Sequence, residues 1–172
     1  QAIVKALFND QEFKIKYYLG SVNSINWARI LAQIVYYFYA WFQVAKDDSE
    51  LVSFVVPTGN FGNVLAGYYA KRMGLPIDKL VIGTNENDIL HRFFSKGEYH
   101  RTELIETYSP SMDIQISSNF ERYLYDLAGN SAETLQRWMD DFERSGKLTL
   151  EGDLLNQAQS DFASARVSDE EI

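Results

Sequence analysis

Residues 57–63 read Pro57-Thr58-Gly59-Asn60-Phe61-Gly62-Asn63, a run of turn formers and amide side chains with no charge of its own. Glycines let a backbone turn tightly and approach a ligand closely, because they carry no Cβ. A helix that starts just after such a turn adds free N–H groups and the positive end of its macrodipole. The two Asn side chains offer further amide donors. The chemistry available here is the binding of an anion, above all a phosphate. The stretch is not a Walker loop, since no Gly-Lys-Ser/Thr follows, and it is not the G-x-G-x-x-G dinucleotide fingerprint. A turn that merely starts a helix would use the same residues, so spacing alone leaves both readings open.

The flanking elements decide whether such a loop is well placed. Residues 51–56 (LVSFVV) form a continuous apolar, β-rich run of the kind found in a parallel strand covered on both faces. After the loop, a helix is expected over about residues 63–73, with Gly74 as its C-terminal cap and Pro76 as a stop. Residues 79–83 (KLVIG) form a second strand. This β-loop-α-β unit should cross over into a parallel sheet, with ligands collecting beyond the carboxyl ends of its strands. The fold class expected is α/β, a parallel sheet flanked by helices.

Upstream, Trp27, Ile30, Leu31, Ile34, Phe38, Trp41 and Phe42 recur at three- and four-residue spacing, so a long helix is expected to about Val44. Residues 25–45 are interrupted by Asn26, Arg29, Gln33 and Gln43, which suits a buried or half-buried helix better than a membrane span. Residues 2–8 read as a short helix. Residues 12–19 alternate loosely through Phe13, Ile15, Tyr17 and Leu19 and read as a strand. Further helices are expected at 88–95, 119–127 and 132–145. Residues 150–172 read as one polar helix followed by an exposed end.

Composition bounds the partners. The chain has 172 residues and a formal net charge of −8, against the basic surface that nucleic acid or an anionic membrane needs. It contains no cysteine, which rules out disulfides, thiolate metal sites and a thiol nucleophile and fits a reducing compartment. His91 and His100 are not spaced as metal ligands. The N-terminus lacks the architecture of a signal peptide and begins without Met, so the chain reads as a piece of something longer.

The loop resembles the phosphate-cradling loop of threonine synthases, enzymes that use pyridoxal 5′-phosphate (PLP). Further blocks resemble that family in matching order: Asn23-Ser24-Ile25-Asn26-Trp27 with Arg29, Thr84-Asn85-Glu86-Asn87-Asp88-Ile89 with Arg92, Ser111-Met112-Asp113-Ile114, and Asn119-Phe120-Glu121-Arg122. The resemblance covers most of residues 1–130 and continues more weakly to the end. It implies the tryptophan-synthase-β-like fold of the fold-type II PLP enzymes, a cytoplasmic location, and conversion of O-phospho-L-homoserine and water to L-threonine and phosphate. On the same ground Gly59, Asn60, Phe61, Gly62 and Asn63 would hold the cofactor phosphate. Ser24, Asn85, Asn87 and Arg92 would be active-site neighbours, with a helix N-cap as the alternative for Ser24 and a surface ion pair for Arg92.

The chain departs from the family's pattern in one respect. The lysine that bonds the cofactor lies in a Phe-Lys-Asp context in the family, and no such motif occurs here; Lys14 follows Phe13 but precedes Ile15. The segment that faces the pyridine nitrogen is also missing. Residues 1–172 therefore read as the central portion of such an enzyme, inactive alone, with the rest of the same enzyme chain as its partner. A phospholyase of the threonine-synthase-like group and a non-catalytic anion-binding module are the competing expectations. Such a piece is expected to expose apolar surface where its partners pack.

Overall fold

The computed structural model describes Leu7, residues 10–20 and residues 24–171. Apart from Leu7, the helix expected over 2–8 lies outside the described residues. The first described element is a short helix, α1 (Gln11–Lys16), where alternation suggested a strand. Two local effects decide in favour of the helix: the Asp10 carboxylate accepts the Phe13 N–H at 3.0 Å as an N-cap, and the Phe13 and Tyr17 rings meet at i,i+4 with centroids 4.5 Å apart.

Helix α2 (Trp27–Val44) follows, capped by the Asn26 side chain, which accepts from Ala28 N at 2.9 Å. Its inward stripe is Ile30, Ile34, Tyr37 and Trp41. No described helix is long and apolar enough to cross a membrane. Strand β1 (Val52–Pro57) then enters the sheet, followed by the loop and helix α3 (Gly62–Arg72). Lys71 and Arg72 in the last turn of α3 meet the negative end of its dipole, and Gly74, at φ 103°, turns the chain out of the helix. Strand β2 (Ile77–Thr84) pairs parallel with β1, Val56 opposite Ile82 and Pro57 opposite Gly83. α3 packs against both α2 and β2. Gly67 permits that approach, because a Cβ there would lie 2.6 Å from the Tyr37 ring and 2.9 Å from Leu80.

Helix α4 (Ile89–Lys96), strand β3 (Glu98–His100), a single 3-10 turn (Pro110–Met112), helices α5 (Phe120–Leu127) and α6 (Ala132–Ser145) and strand β4 (Lys147–Thr149) come next, with β3 and β4 antiparallel. Helix α7 (Gly152–Asp161) leads into β5 (Ala163–Arg166), which pairs parallel with β2. The expected helix is there, and the mostly exposed stretch after it includes a short strand at 163–166 where no strand was expected. The sheet runs β1-β2-β5, so β2 is central, with Leu80 and Ile82 fully buried.

The core is aromatic. Phe61, Phe93, Phe94, Phe120, Tyr123 and Phe162 are all fully buried and touch in edge-to-face and tilted pairs. Coverage of β1 on both faces does not hold within this chain. Ser53, Val55 and Pro57, on one face of β1, are exposed, Val55 to 72%, as is Leu51 just before the strand, to 65%. The outer face of α2, with Leu31, Val35, Tyr39 and Phe42, is exposed as well. An exposed apolar surface was expected, and these two elements carry it.

Candidate anion site at the carboxyl ends of β1 and β2

The loop leaves β1 under close control. Thr58 N continues the ladder by donating to Gly83 O at 2.8 Å, while its hydroxyl donates to Val56 O at 2.6 Å. The carbonyls beyond it are taken by the segment that precedes α5. Ser117 Oγ donates to Gly59 O at 2.7 Å, Asn119 N donates to Asn60 O at 3.1 Å, and Ser118 Oγ donates to Asn60 Oδ1 at 3.1 Å. Phe61 O accepts Leu65 N at 3.0 Å as the first turn of α3 begins.

The amides are treated in the opposite way. Among the described residues, none of the backbone N–H groups of Gly59, Asn60, Phe61, Gly62 and Asn63 meets an acceptor. The first N–H groups of any helix lack an intrahelical partner, but here the run extends back through Gly59, Asn60 and Phe61, which makes the loop a candidate anion site. The glycines matter through crowding more than through unusual dihedrals. A Cβ on Gly59 would stand 3.1 Å from Ser111 O, and one on Gly62 would stand 3.3 Å from Asn119 Nδ2.

The left-handed residue is instead Phe61, at φ 63°. That conformation costs a bulky residue roughly 1–3 kcal/mol. Its ring is 1% exposed and lies 5.4 Å from both Phe120 and Phe162, so burial worth about 1.5–3 kcal/mol offsets the strain. Only the backbone of Phe61 therefore faces the loop. Asn63 is oriented by Tyr37, whose hydroxyl donates to Asn63 Oδ1 at 2.7 Å and Asn63 O at 3.0 Å. Burial raises the Tyr37 phenol well above its ordinary pKa, so it remains a donor.

The other predicted residues fall in three places. Ser24 is not the cap of α2, a role that Asn26 fills; its hydroxyl lies 3.4 Å from that of Ser118, and its carbonyl accepts from Asn119. Asn85 and Asn87 lie just past the end of β2 and converge on Asp113. Asn85 Nδ2 donates to Asp113 Oδ1 at 2.7 Å and Asn87 Nδ2 at 3.0 Å, while Thr107 N donates to Asp113 Oδ2 at 3.0 Å. These bonds, led by the one from the Thr107 backbone, hold the Asp113 carboxyl below the usual carboxylate range. Asn87 Oδ1 accepts Ile105 N at 3.0 Å, so the two asparagines fasten the long segment 101–116 to the sheet.

Arg92 is mostly buried and makes an internal ion pair, with Asp88 at 2.8 Å. Its guanidinium also donates to His100 O at 2.9 Å and meets His100 Nε2 at 2.7 Å. Partial burial, then the Arg92 charge, pushes the His100 pKa down, so the neutral ring accepts from Arg92. The structure thus brings Ser24 and residues 59–63 together, with Asn85 and Asn87 at the neighbouring strand end. The polar partners of Arg92 are instead Asp88, at the N-cap of α4, and His100, in β3. No cluster of metal-ligating side chains occurs among the described residues. Ser117, Ser118 and Asn119 were missed as site residues; of these only Asn119 stood in a block singled out from the sequence.

No protein-family model matches the chain. It is 51% identical to a threonine synthase of Schizosaccharomyces pombe, over 99% of this chain and 38% of that protein. The protein named "Threonine synthase-like 2" from Rattus norvegicus is 42% identical over 98% of the chain and 36% of its own length. The crystal structure of PLP-bound threonine synthase from Brucella melitensis superimposes with a TM-score of 0.93 at 49% identity, covering 99% of this chain and 37% of that one. The chain thus spans little more than a third of the length of these proteins. Sequence and fold together make it a homologue of the threonine synthases over that third of their length.

Proposed function

We propose that this chain is the cofactor-phosphate-holding part of a PLP-dependent threonine synthase, which converts O-phospho-L-homoserine and water to L-threonine and phosphate. The observation that carries the reading is the run of acceptor-free amides from Gly59 to Asn63, in a chain about half identical to threonine synthases. Gly59 and Gly62 let the loop lie against Ser111 and Asn119, which a Cβ would crowd, and the loop keeps its acceptor-free amides beside the N-terminus of α3. PLP, when bound, supplies an electron sink for charge that develops on the amino acid.

The chain's own residues bind and orient. The N–H groups of residues 59–63 and the N-terminus of α3 neutralise a phosphate dianion without a charged side chain. Tyr37 turns Asn63 so that its Nδ2, which has no partner among the described residues, remains available as a sixth donor. Asn85, Asn87 and Asp113 fasten residues 101–116 beside the carboxyl end of β2. No Phe-Lys-Asp motif occurs in the chain, so the lysine that bonds the cofactor is assigned to another part of the intact protein, as are the remaining substrate contacts. A cytoplasmic location and the fold-type II arrangement of two domains belong to the same proposal.

The match to the threonine-synthase-like protein favours a second reading, a phospholyase that releases phosphate without forming threonine. The greater identity to the synthases supports the first. Product analysis of the intact protein decides between them: threonine and phosphate in equal amounts support the synthase, and phosphate without threonine supports the phospholyase. Gly59→Asp should abolish PLP binding in either case, since a carboxylate and a phosphate repel in one cradle; unchanged affinity would refute the assignment of the loop.

A further inference from the structure

The carbonyl groups of the loop show what gives it its shape. A trans peptide points its C=O and its N–H to opposite sides, and none of the described peptide bonds is cis. Ser117 Oγ fixes the Gly59 carbonyl at 2.7 Å, which turns the N–H of Asn60 away from Ser117. Asn119 fixes the Asn60 carbonyl twice, through its backbone N and its Nδ2, each at 3.1 Å, and this turns the N–H of Phe61 away as well. Those N–H groups are two of the donors left without an acceptor.

Asn119 is itself held rigidly. It is fully buried, and its second Nδ2 hydrogen goes to Ser24 O at 2.9 Å while Oδ1 accepts from Arg122. Two carbonyls on one side and a guanidinium on the other fix the orientation of the amide. We infer that Asn119, seconded by Ser117, is a positioning residue for the anion loop: it holds the loop's carbonyls back so that its amides face the phosphate. Asn119 touches neither the phosphate nor any reacting atom. This inference rests on reading the loop as a PLP-phosphate site.

The test uses the intact protein freed of cofactor, with dissociation constants for PLP and for pyridoxal, its phosphate-free analogue, read by protein fluorescence. Asn119→Ala should weaken PLP about tenfold, since it removes the side-chain bonds to the Asn60 and Ser24 carbonyls and leaves Asn60 O only the backbone N–H of residue 119. Ser117→Ala, which removes the bond to the Gly59 carbonyl, should weaken it about threefold. Pyridoxal affinity should change by less than about twofold, because that ligand does not use the loop. Asn119→Asp should be worse than Asn119→Ala, since it sets a carboxylate oxygen against two carbonyls. Equal losses for both ligands would reduce Asn119 to a general structural role and overturn the inference, as would no loss at all. Where Asn119→Ala does not fold, Ser117→Ala decides by the same ratio of affinities. If the unmodified protein does not prefer PLP to pyridoxal, the phosphate reading beneath the inference fails, a result distinct from failure of the variants alone.

Discussion

Two polar sites lie at the carboxyl ends of adjacent strands, and they are built in opposite ways. After β1, the loop of residues 59–63 has its carbonyls tied down and its amides left without acceptors. After β2, Asn85, Asn87, Thr107 and Asp113 form a cluster in which donors and acceptors answer each other. Resemblance nominated residues of both places for the same active site. Hydrogen bonding separates their roles: a surplus of donors invites an anion, whereas a saturated network braces a segment and has little left for a ligand.

Several substitutions would break or sharpen this contrast. The largest effect on folding should come from Phe61→Ala, which removes the ring at the centre of the aromatic core while keeping the left-handed backbone. Denaturant unfolding should show a loss of about 3–5 kcal/mol. Gly59→Asp should reverse that pattern, with a smaller loss of stability, about 1–2 kcal/mol from the crowding of Ser111 O, and PLP affinity lowered at least about a hundredfold, as titration of the cofactor-free protein would show.

In the brace, Asp113→Ala strands the Thr107 N–H and leaves Asn85 Nδ2 only Thr107 Oγ1, and Asn87 Nδ2 only Ile105 O and Asn85 Oδ1, as acceptors. It should cost about 1–3 kcal/mol and raise amide exchange across residues 101–116. The same carboxylate gives the brace a pH dependence. Its folded pKa lies below the ordinary value, so its contribution is complete at neutral pH and is lost as pH falls through that lowered value. Stability of Asp113→Asn should therefore be flatter than that of the parent on the acid side. Ser24→Ala should do least, within about 0.5 kcal/mol, because the hydroxyl makes one contact at 3.4 Å and the useful group is the backbone carbonyl.

Much of the fold around the loop is legible in the residues themselves. The apolar run, the glycine-bearing loop, the helix ended by Gly74 and the second strand lie where the pattern placed them. Each carries its own local signal. Strand β5 does not: Ala163-Ser164-Ala165-Arg166 has no β-branched or large apolar residue, its alternation is only of alanine with polar residues, and it becomes a strand by pairing with β2. Residues 11–16 failed for a different reason, since Phe13, Ile15 and Tyr17 fit a two-residue period while Phe13 and Tyr17 also fit a helical one. The Asp10 cap and the Phe13–Tyr17 pair settled the matter.

At the site, the donors could be read from glycine spacing, but the brace could not. Ser117 meets the loop from 58 residues away, a pairing no local pattern encodes. The glycines also proved to serve differently from expectation. Their freedom to turn is not used, because the left-handed step falls on Phe61, and what they provide is room.

The central claim is that the amides of residues 59–63 hold the cofactor's phosphate. Backbone amide NMR shifts of the intact protein, followed as PLP, inorganic phosphate or pyridoxal is added, test it most directly. PLP and inorganic phosphate should both shift the amides of Asn60, Phe61 and Gly62 strongly, and pyridoxal should leave them nearly still. If PLP binds while those amides stay unmoved, the phosphate is held elsewhere and the account is wrong.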